Sequence, residues 1–174
     1  SWCTEHLIKD LDDFKSWLEL PDFDLIGEAD IAPALDMEAR IGEHGVILIG
    51  TPDPLCLIAQ TMDMATYTII AMTEPGLFQQ ALDRAARYLY WRTEKIAAAM
   101  PGRFWRIYGP EYASPPYLPP SLFYKYVVGY DRIMTEIIHR HQGFARIHSH
   151  GRLRGILEFI VETGCDGLDP IEPP

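Results

Sequence analysis

The stretch that decides the fold is residues 144–174, which read FARIHSHG, then RLRGILEFIVETG, then CDGLDPIEPP. The three segments predict a strand, a short helix and a second strand. Because successive side chains of a strand point to opposite faces, Arg146, His148 and His150 share one face. Two imidazoles therefore meet at the carboxyl end of a strand, which is where parallel α/β proteins carry their chemistry.

The rest of the chain alternates strands with helices in the same way. Hydrophobic patterns predict strands over 45–50, 103–108, 144–149 and 166–169, and helices over 11–20, 31–43, 55–62, 64–72, 75–100, 121–141 and 151–163. Thr73 is a candidate N-cap for the longest helix, and Gly143 is placed to stop the next one. The first strand, GVILIG, is continuous and bounded by glycines, which predicts burial on both faces.

Composition limits the function classes. The chain has 174 residues, of which 48% are hydrophobic, and this is enough for one domain spanning residues 1–174. The formal net charge of −10 argues against nucleic acid or an anionic membrane surface as partner. No leader or membrane-length apolar run is found, and Cys3, Cys56 and Cys165 form no metal or disulfide pattern. We therefore expect a soluble, cytoplasmic protein.

The spacing of the elements predicts parallel strands, since a parallel neighbour needs a crossover of a dozen residues or more. Four such strands are half of an eight-stranded (β/α)8 barrel, and 174 residues fall short of the roughly 250 typical of a closed one. A half barrel leaves two unpaired edges. The chain is then a piece of a longer protein, or closes by self-association, or forms a small open sheet. The ending at Pro173-Pro174 favours the first alternative.

Polar residues on and after the second strand are further site candidates. The strand over 103–108 places Arg106 and Tyr108 on one face, and the proline-rich loop over 109–120 that follows it carries Glu111. Arg106 and Arg146 require anionic partners if they face an enclosed interior. That partner is either the carboxylate of a small-molecule substrate, or Glu111 or Asp169 in a structural ion pair.

Four motifs together resemble the uroporphyrinogen decarboxylase superfamily, over a span from about residue 45 to the end. They are GTPDPLCL at 50–57, GPEYASPPY at 109–117, HSHG at 148–151 and GCDGLDPIEPP at 164–174. The resemblance implies a (β/α)8 barrel of the TIM type about twice this length. The chain would then hold about half of that barrel.

The resemblance also implies a choice between two activities. Decarboxylases of tetrapyrrole biosynthesis have a catalytic tyrosine in the helix after the first motif, and the matching position here is Gln60. Zinc-dependent methyltransferases, which take methyl groups from corrinoid proteins, have His-x-Cys at the strand end, where this chain has His148-Ser149-His150. The resemblance therefore implies a methyltransferase-like enzyme with a corrinoid protein as partner. A decarboxylase, or a barrel fragment without catalysis, is the alternative.

The chemistry of zinc is compatible with this replacement. Zinc accepts imidazole and carboxylate, and a catalytic site needs only three protein ligands and an open position. We expect His148, His150 and Glu172 to be those ligands, with Glu111 as a competitor for the third place. Glu111, Arg106 and Arg146 are the candidate catalytic residues. The plainer interpretation is that the histidines are hydrogen-bonded core residues and that the two glutamates accept backbone or arginine hydrogen bonds.

Overall fold

The computed structural model describes residues 5–22 and 27–172, and Cys3 and Pro173-Pro174 lie outside them. Within this part the chain is a mixed α/β structure with four strands: β1 (Leu48–Pro52), β2 (Phe104–Tyr108), β3 (Phe144–His148) and β4 (Gly167–Asp169). The helices are α1 (Leu11–Glu19), α2 (Ala32–Ile41), α3 (Pro54–Ala59), α4 (Met64–Thr73), α5 (Pro75–Ala99), α6 (Pro120–Phe123), α7 (Gly129–Arg140) and α8 (Leu157–Glu162).

The four strands form one parallel sheet in the order β1-β2-β3-β4, which is also their order in the chain. Right-handed crossovers between sequential parallel strands place every connecting helix on the same face of the sheet. The predicted parallel pairing is confirmed. One face of the sheet is therefore the covered face and the other is the open face.

The covered face carries the hydrophobic core. Trp105 and Ile107 of β2 and Ala145 and Ile147 of β3 are buried there against the crossover helices. The same core takes in buried side chains from the helices, among them Phe14 of α1, Phe78 of α5, and Tyr67 of α4. Alternation along each strand therefore separates the core from the open face, as the pattern predicts.

The open face is arranged in three rows that follow the strand register. Leu48, Phe104 and Phe144 form the first row; Gly50, Arg106, Arg146 and Gly167 the second; Pro52, Tyr108, His148 and Asp169 the third. Leu48 and Phe144 are exposed and the arginines are only partly buried. The expectation that the first strand is buried on both faces is wrong, because no described element covers this side of β1.

Three local predictions need correction. The first strand begins at Leu48, not Gly45, because its pairing starts opposite Phe104. Thr73 does not cap α5, since its hydroxyl donates 2.8 Å back to the Ile69 carbonyl, and Glu74 takes the N-cap position. The left-handed residue after α7 is Gln142 (φ 63°), whereas Gly143 is needed because a Cβ there would lie 2.9 Å from the Arg103 carbonyl oxygen.

Two predicted helices are less regular than expected. The one over 121–141 is interrupted by a π-helical segment, Tyr124–Val128, between α6 and α7. Such segments widen a helix by one residue per turn and often accompany functional sites. The helix predicted over 151–163 consists of a 3₁₀ turn, Leu153–Gly155, followed by the shorter α8. Across the described ranges, no helix has both the length and the apolar character that crossing a membrane requires.

Candidate functional site

His148 lies at the carboxyl end of β3, directly beside Asp169 at the end of β4. The parallel register makes these two residues partners, and the His148 Nδ1 atom lies 3.0 Å from Asp169 Oδ2. The His148 side chain is only 13% exposed. Burial in this position, together with the carboxylate, fixes the orientation of its ring.

His150 lies just after β3 and has a carboxylate partner of its own. Its Nδ1 atom lies 2.6 Å from Glu172 Oε1, and Glu172 Oε2 accepts the Gly151 N–H at 3.1 Å. These two hydrogen bonds lower the pKa of Glu172. Both oxygens of Glu172 are therefore used to orient His150 and the turn that follows it.

The two imidazole rings converge as the sequence predicts. Their centroids are 4.8 Å apart and their planes meet at 83°. In a neutral ring, a carboxylate acceptor at Nδ1 favours the tautomer with its proton on Nδ1, which leaves a lone pair on Nε2. Neither Nε2 atom has a hydrogen-bond partner among the residues that the structure describes. The site therefore offers two neighbouring nitrogen donors.

The backbone that carries His150 is fixed against the proline-rich loop. Ser149 and Ser114 share a buried hydrogen bond of 2.9 Å between their hydroxyls, and the Arg152 N–H donates to the Pro115 carbonyl at 3.0 Å. Gly151 adopts φ 108°, and a Cβ there would lie 3.0 Å from the same carbonyl oxygen. The turn after β3 thus requires glycine at position 151 and is fixed to the proline-rich loop by two hydrogen bonds.

Arg146 and Arg106 are neighbours in the second row of the open face. The Arg146 Nε atom lies 2.8 Å from Asp169 Oδ1, and its guanidinium lies over the Phe104 ring at 5.6 Å. Asp169 is therefore shared by Arg146 and His148. The structural pairing with Asp169 that the sequence leaves open for Arg146 is observed.

Arg106 has a different environment. Its guanidinium lies 5.9 Å from the centre of the Tyr108 ring, and its Nε atom is buried without a hydrogen-bond partner. In residues 5–22 and 27–172 no carboxylate forms an ion pair with it. Arg106 is thus a cation on the open face with unused hydrogen-bond donors.

Glu111 and Gln60 lie above the carboxyl ends of β2 and β1. Glu111 Oε2 accepts the Gly109 N–H at 2.9 Å, which is the backbone role that the sequence allows for it. Gln60 Nε2 donates to Cys56 Sγ at 3.1 Å. Gln60 and Tyr112 line a cavity of about 450 Å³, so a phenol lies near the Gln60 side chain.

Two further carboxylates are fully buried behind this edge of the sheet. Asp53 follows β1, and one of its oxygens accepts the Cys56 N–H at 2.6 Å while the other has no partner. Asp131 lies on α7, and neither of its oxygens has a partner. No Lys, Arg or His of the described chain forms an ion pair with either of them.

Burial sets the charge of these interior acids. Loss of hydration raises the pKa of Asp53 well above its ordinary value, and the neighbouring Asp131 and Glu111 raise it further. Loss of hydration likewise raises the pKa of Asp131, with a further contribution from Glu111. A carboxyl group in an apolar interior takes up a proton to avoid an unpaired buried charge. Burial therefore favours the protonated form of both acids.

No group of three or more His, Cys, Asp or Glu side chains in the described part of the chain is arranged to hold a metal ion. The zinc site and the ligand role of Glu172 therefore stay predictions. His139 and His141, which lie at the end of α7, each contact one carboxylate, Asp166 at 2.8 Å and Glu94 at 2.7 Å.

The sequence does not single out Asp53 or Asp131 as site residues, and it indicates Asp169 only as a structural partner of an arginine. The sequence pattern could have indicated Asp131, because this residue lies one turn after Val127 on the apolar side of its helix. A charged residue is unusual in that position. Asp169 becomes the partner of His148 only through the strand register, which the sequence does not specify.

Neither a scan of the chain against protein-family models nor a search of curated proteins found a match. What this chain does is therefore inferred from its own residues.

Proposed function

We propose that the chain is part of a (β/α)8-barrel enzyme of the kind found in the uroporphyrinogen decarboxylase superfamily, with a divalent-metal site at His148 and His150. Three features support the barrel. The strands are ordered as in the chain, all crossovers lie on one face, and the open face carries side chains in rows. Barrel interiors are filled by such rows of strand side chains.

The pair of oriented imidazoles is the observation that carries the metal site. Histidines that bind metal almost always donate their other ring N–H to a carboxylate or carbonyl, which fixes the tautomer. His148 and His150 both have this second partner already, in Asp169 and Glu172. A pair of core histidines would instead be expected to use both ring nitrogens within the protein.

The third ligand is the open part of the proposal. Glu172 is the predicted one, and it can reach a metal only if one of its oxygens leaves its hydrogen bond with His150 or Gly151. Asp169 is more constrained, because its oxygens face both Arg146 and His148. Zinc is the natural occupant, because it binds imidazole and carboxylate in sites that keep one position open.

The open face supplies the substrate side of the proposal. Arg106, with no carboxylate partner in the described ranges, would bind an anionic group of a small molecule, and Arg146 lies next to it. Glu111 would stay a positioning residue for the loop after β2. A divalent ion bound nearby would lower the pKa of a thiol or water, or polarise a substrate oxygen. Transfer of a methyl group from a corrinoid protein to the sulfur of a thiol, which gives up its proton, is the reaction that we favour.

Zinc titration of the purified chain tests the metal site. We expect about one zinc ion per chain, lost in His148→Ala and in His150→Ala. His139→Ala is the matched control, since His139 also pairs with one carboxylate but lies at the end of α7. A chain that binds no zinc, or one that loses zinc equally in all three variants, would favour a barrel without this metal chemistry.

Decarboxylation is the second candidate, because Tyr112 and Gln60 line the same cavity. If Tyr112 replaces the missing tyrosine, uroporphyrinogen would be decarboxylated and Tyr112→Phe would abolish turnover. Tyr117→Phe, a change in the same loop at an exposed ring, is the control. An inactive chain in this assay would leave methyl transfer as the better proposal.

A further inference from the structure

A groove of about 570 Å³ opens next to the His150–Glu172 pair, outside the three rows of residues on the open face of the sheet. Its lining is made by the turn after β3, the start of α8 and the segment after β4: Gly151, Arg152, Leu153, Arg154, Leu157, Ile171 and Glu172. Its volume lies in the range of small-molecule sites.

The walls of the groove are apolar and uncovered. Leu157 is 40% exposed and Ile171 is 72% exposed, while Leu153 is buried at the base. Large apolar side chains in solvent, gathered in one concave place, are typical of a surface that binds something. The groove is suited to a hydrocarbon or ring system.

The rim of the groove is cationic. Arg152 and Arg154 are exposed, and neither forms an ion pair with a carboxylate of the described residues. Most other arginines of the chain have a carboxylate partner, as Arg140 has in Glu94 and Arg132 in Glu162. Two free guanidinium groups in a chain of net charge −10 form a local site for an anion.

The groove is also preformed. Its first wall is the turn that the Ser149–Ser114 hydrogen bond and the Arg152 N–H bond to Pro115 hold in place. Its second wall ends at Glu172, which is bound to His150 and to the Gly151 N–H. A site that needs little rearrangement loses less free energy on binding.

We propose that this groove binds a small soluble molecule with an apolar body and a terminal phosphate or carboxylate. The apolar body lies against Leu153, Leu157 and Ile171, and the anionic group is bound by Arg152 and Arg154. Recognition needs both features together. Glu172 lines the groove and is also a predicted metal ligand, but none of the five residues that bind the occupant is a metal ligand.

The test uses octyl phosphate as probe, below the concentration at which it forms micelles, with calorimetry as the measurement. Octanol supplies the apolar body alone, and inorganic phosphate supplies the charge alone. We expect octyl phosphate to bind about ten-fold more tightly than either, and Arg152→Gln/Arg154→Gln to weaken it by about ten-fold, since charged hydrogen bonds contribute at that level. Leu157→Ser should weaken octyl phosphate and leave inorganic phosphate unchanged.

Arg40→Gln is the matched control, because Arg40 is an exposed arginine on α2 and should not affect the probe. His148→Ala should lose zinc and keep octyl phosphate, which separates failure of the metal site from failure of the groove. Equal binding of octanol, an unchanged affinity in the double arginine variant, or binding only to anionic vesicles would overturn the proposal.

Discussion

Two pairs of carboxylates lie near the carboxyl ends of the strands, and they differ in what surrounds them. At the rim, Asp169 and Glu172 each contact a histidine, and Asp169 also contacts Arg146. In the interior, Asp53 and Asp131 are fully buried and have no cationic partner within the described ranges. The rim pair is surrounded by hydrogen-bond donors, whereas the interior pair lies in surroundings that favour the neutral acid.

This edge of the sheet therefore contains two kinds of carboxyl group with separate roles. The rim carboxylates orient imidazoles, which is the arrangement that precedes metal binding. Burial favours the neutral form of the interior acids, and three of their four oxygens have no hydrogen-bond partner among the described residues. Variants that change one pair should leave the other unaffected.

The largest effect is expected from Gly109→Ala, which would disturb the interior pair through the backbone. Gly109 adopts φ 127°, and a Cβ there would overlap Asp53 Oδ1 and Cys56 Cβ. Left-handed strain and overpacking together should lower the free energy of unfolding by about 4 kcal/mol. Gly129→Ala, at an exposed helical glycine with open space around it, should instead raise stability by about 0.5 kcal/mol. Equal stability of the two variants in urea unfolding would contradict this packing.

The next effect concerns pH and Asp131. A pKa raised in the folded state means that the folded protein holds its proton more tightly, so this stability is full below the unfolded pKa of about 3.9 and is lost as pH rises. The free energy of unfolding should therefore fall between pH 5 and pH 8. Asp131→Asn has no proton to lose and should be more stable than the parent at pH 8.

Asp36→Asn is the control for this pH prediction, because Asp36 is exposed on α2. Its urea unfolding curves at pH 5 and pH 8 should follow those of the parent chain. If Asp131→Asn keeps the parent's full dependence on pH, then Asp131 does not contribute to that dependence and this prediction is wrong.

At the rim, Asp169→Asn should lower zinc affinity by about 10-fold to 100-fold, as expected when the partner that orients a metal-binding histidine is removed. Asp166→Asn is the control, since Asp166 also contacts a histidine, at Nε2 of His139, outside the site. Competition with a zinc chelator measures both. Equal loss of zinc affinity in Asp169→Asn and Asp166→Asn would contradict a role for Asp169 in orienting a metal-binding histidine.

The smallest effect is expected for Glu172→Gln. If Glu172 orients His150, glutamine keeps a weaker hydrogen bond and zinc affinity should fall only about three-fold. If Glu172 is a direct ligand, the loss should approach that of His150→Ala. The same chelator competition therefore separates the two roles of Glu172.

Much of the fold could be predicted because strands and helices leave local patterns. The alternation of side chains along β2 predicts that Arg106 and Tyr108 lie on the opposite face from Trp105 and Ile107, and this is observed. The start of β1 and the ends of α7 could not be predicted, because strand pairing and the conformation of Gln142 decide them. The prediction that β1 is buried on both faces was wrong, because no described residue packs against its open face.

The site could be predicted less fully. The convergence of His148 and His150 follows from their spacing and is observed. The carboxylate partner of each ring does not follow from that spacing, since Asp169 and Glu172 are brought in by β4 and the segment after it. Charge state was also beyond the sequence, because it depends on the burial of Asp53 and Asp131, which only the three-dimensional arrangement shows.

The central claim is that His148 and His150 present their free Nε2 atoms to one metal ion. X-ray absorption of the zinc-loaded protein tests it most directly. We predict two imidazole nitrogens at about 2.0 Å from zinc, with the outer-shell scattering of the rings, and loss of both signals in His148→Ala/His150→Ala. A first shell made only of oxygen, or a spectrum unchanged in the double variant, would contradict the claim.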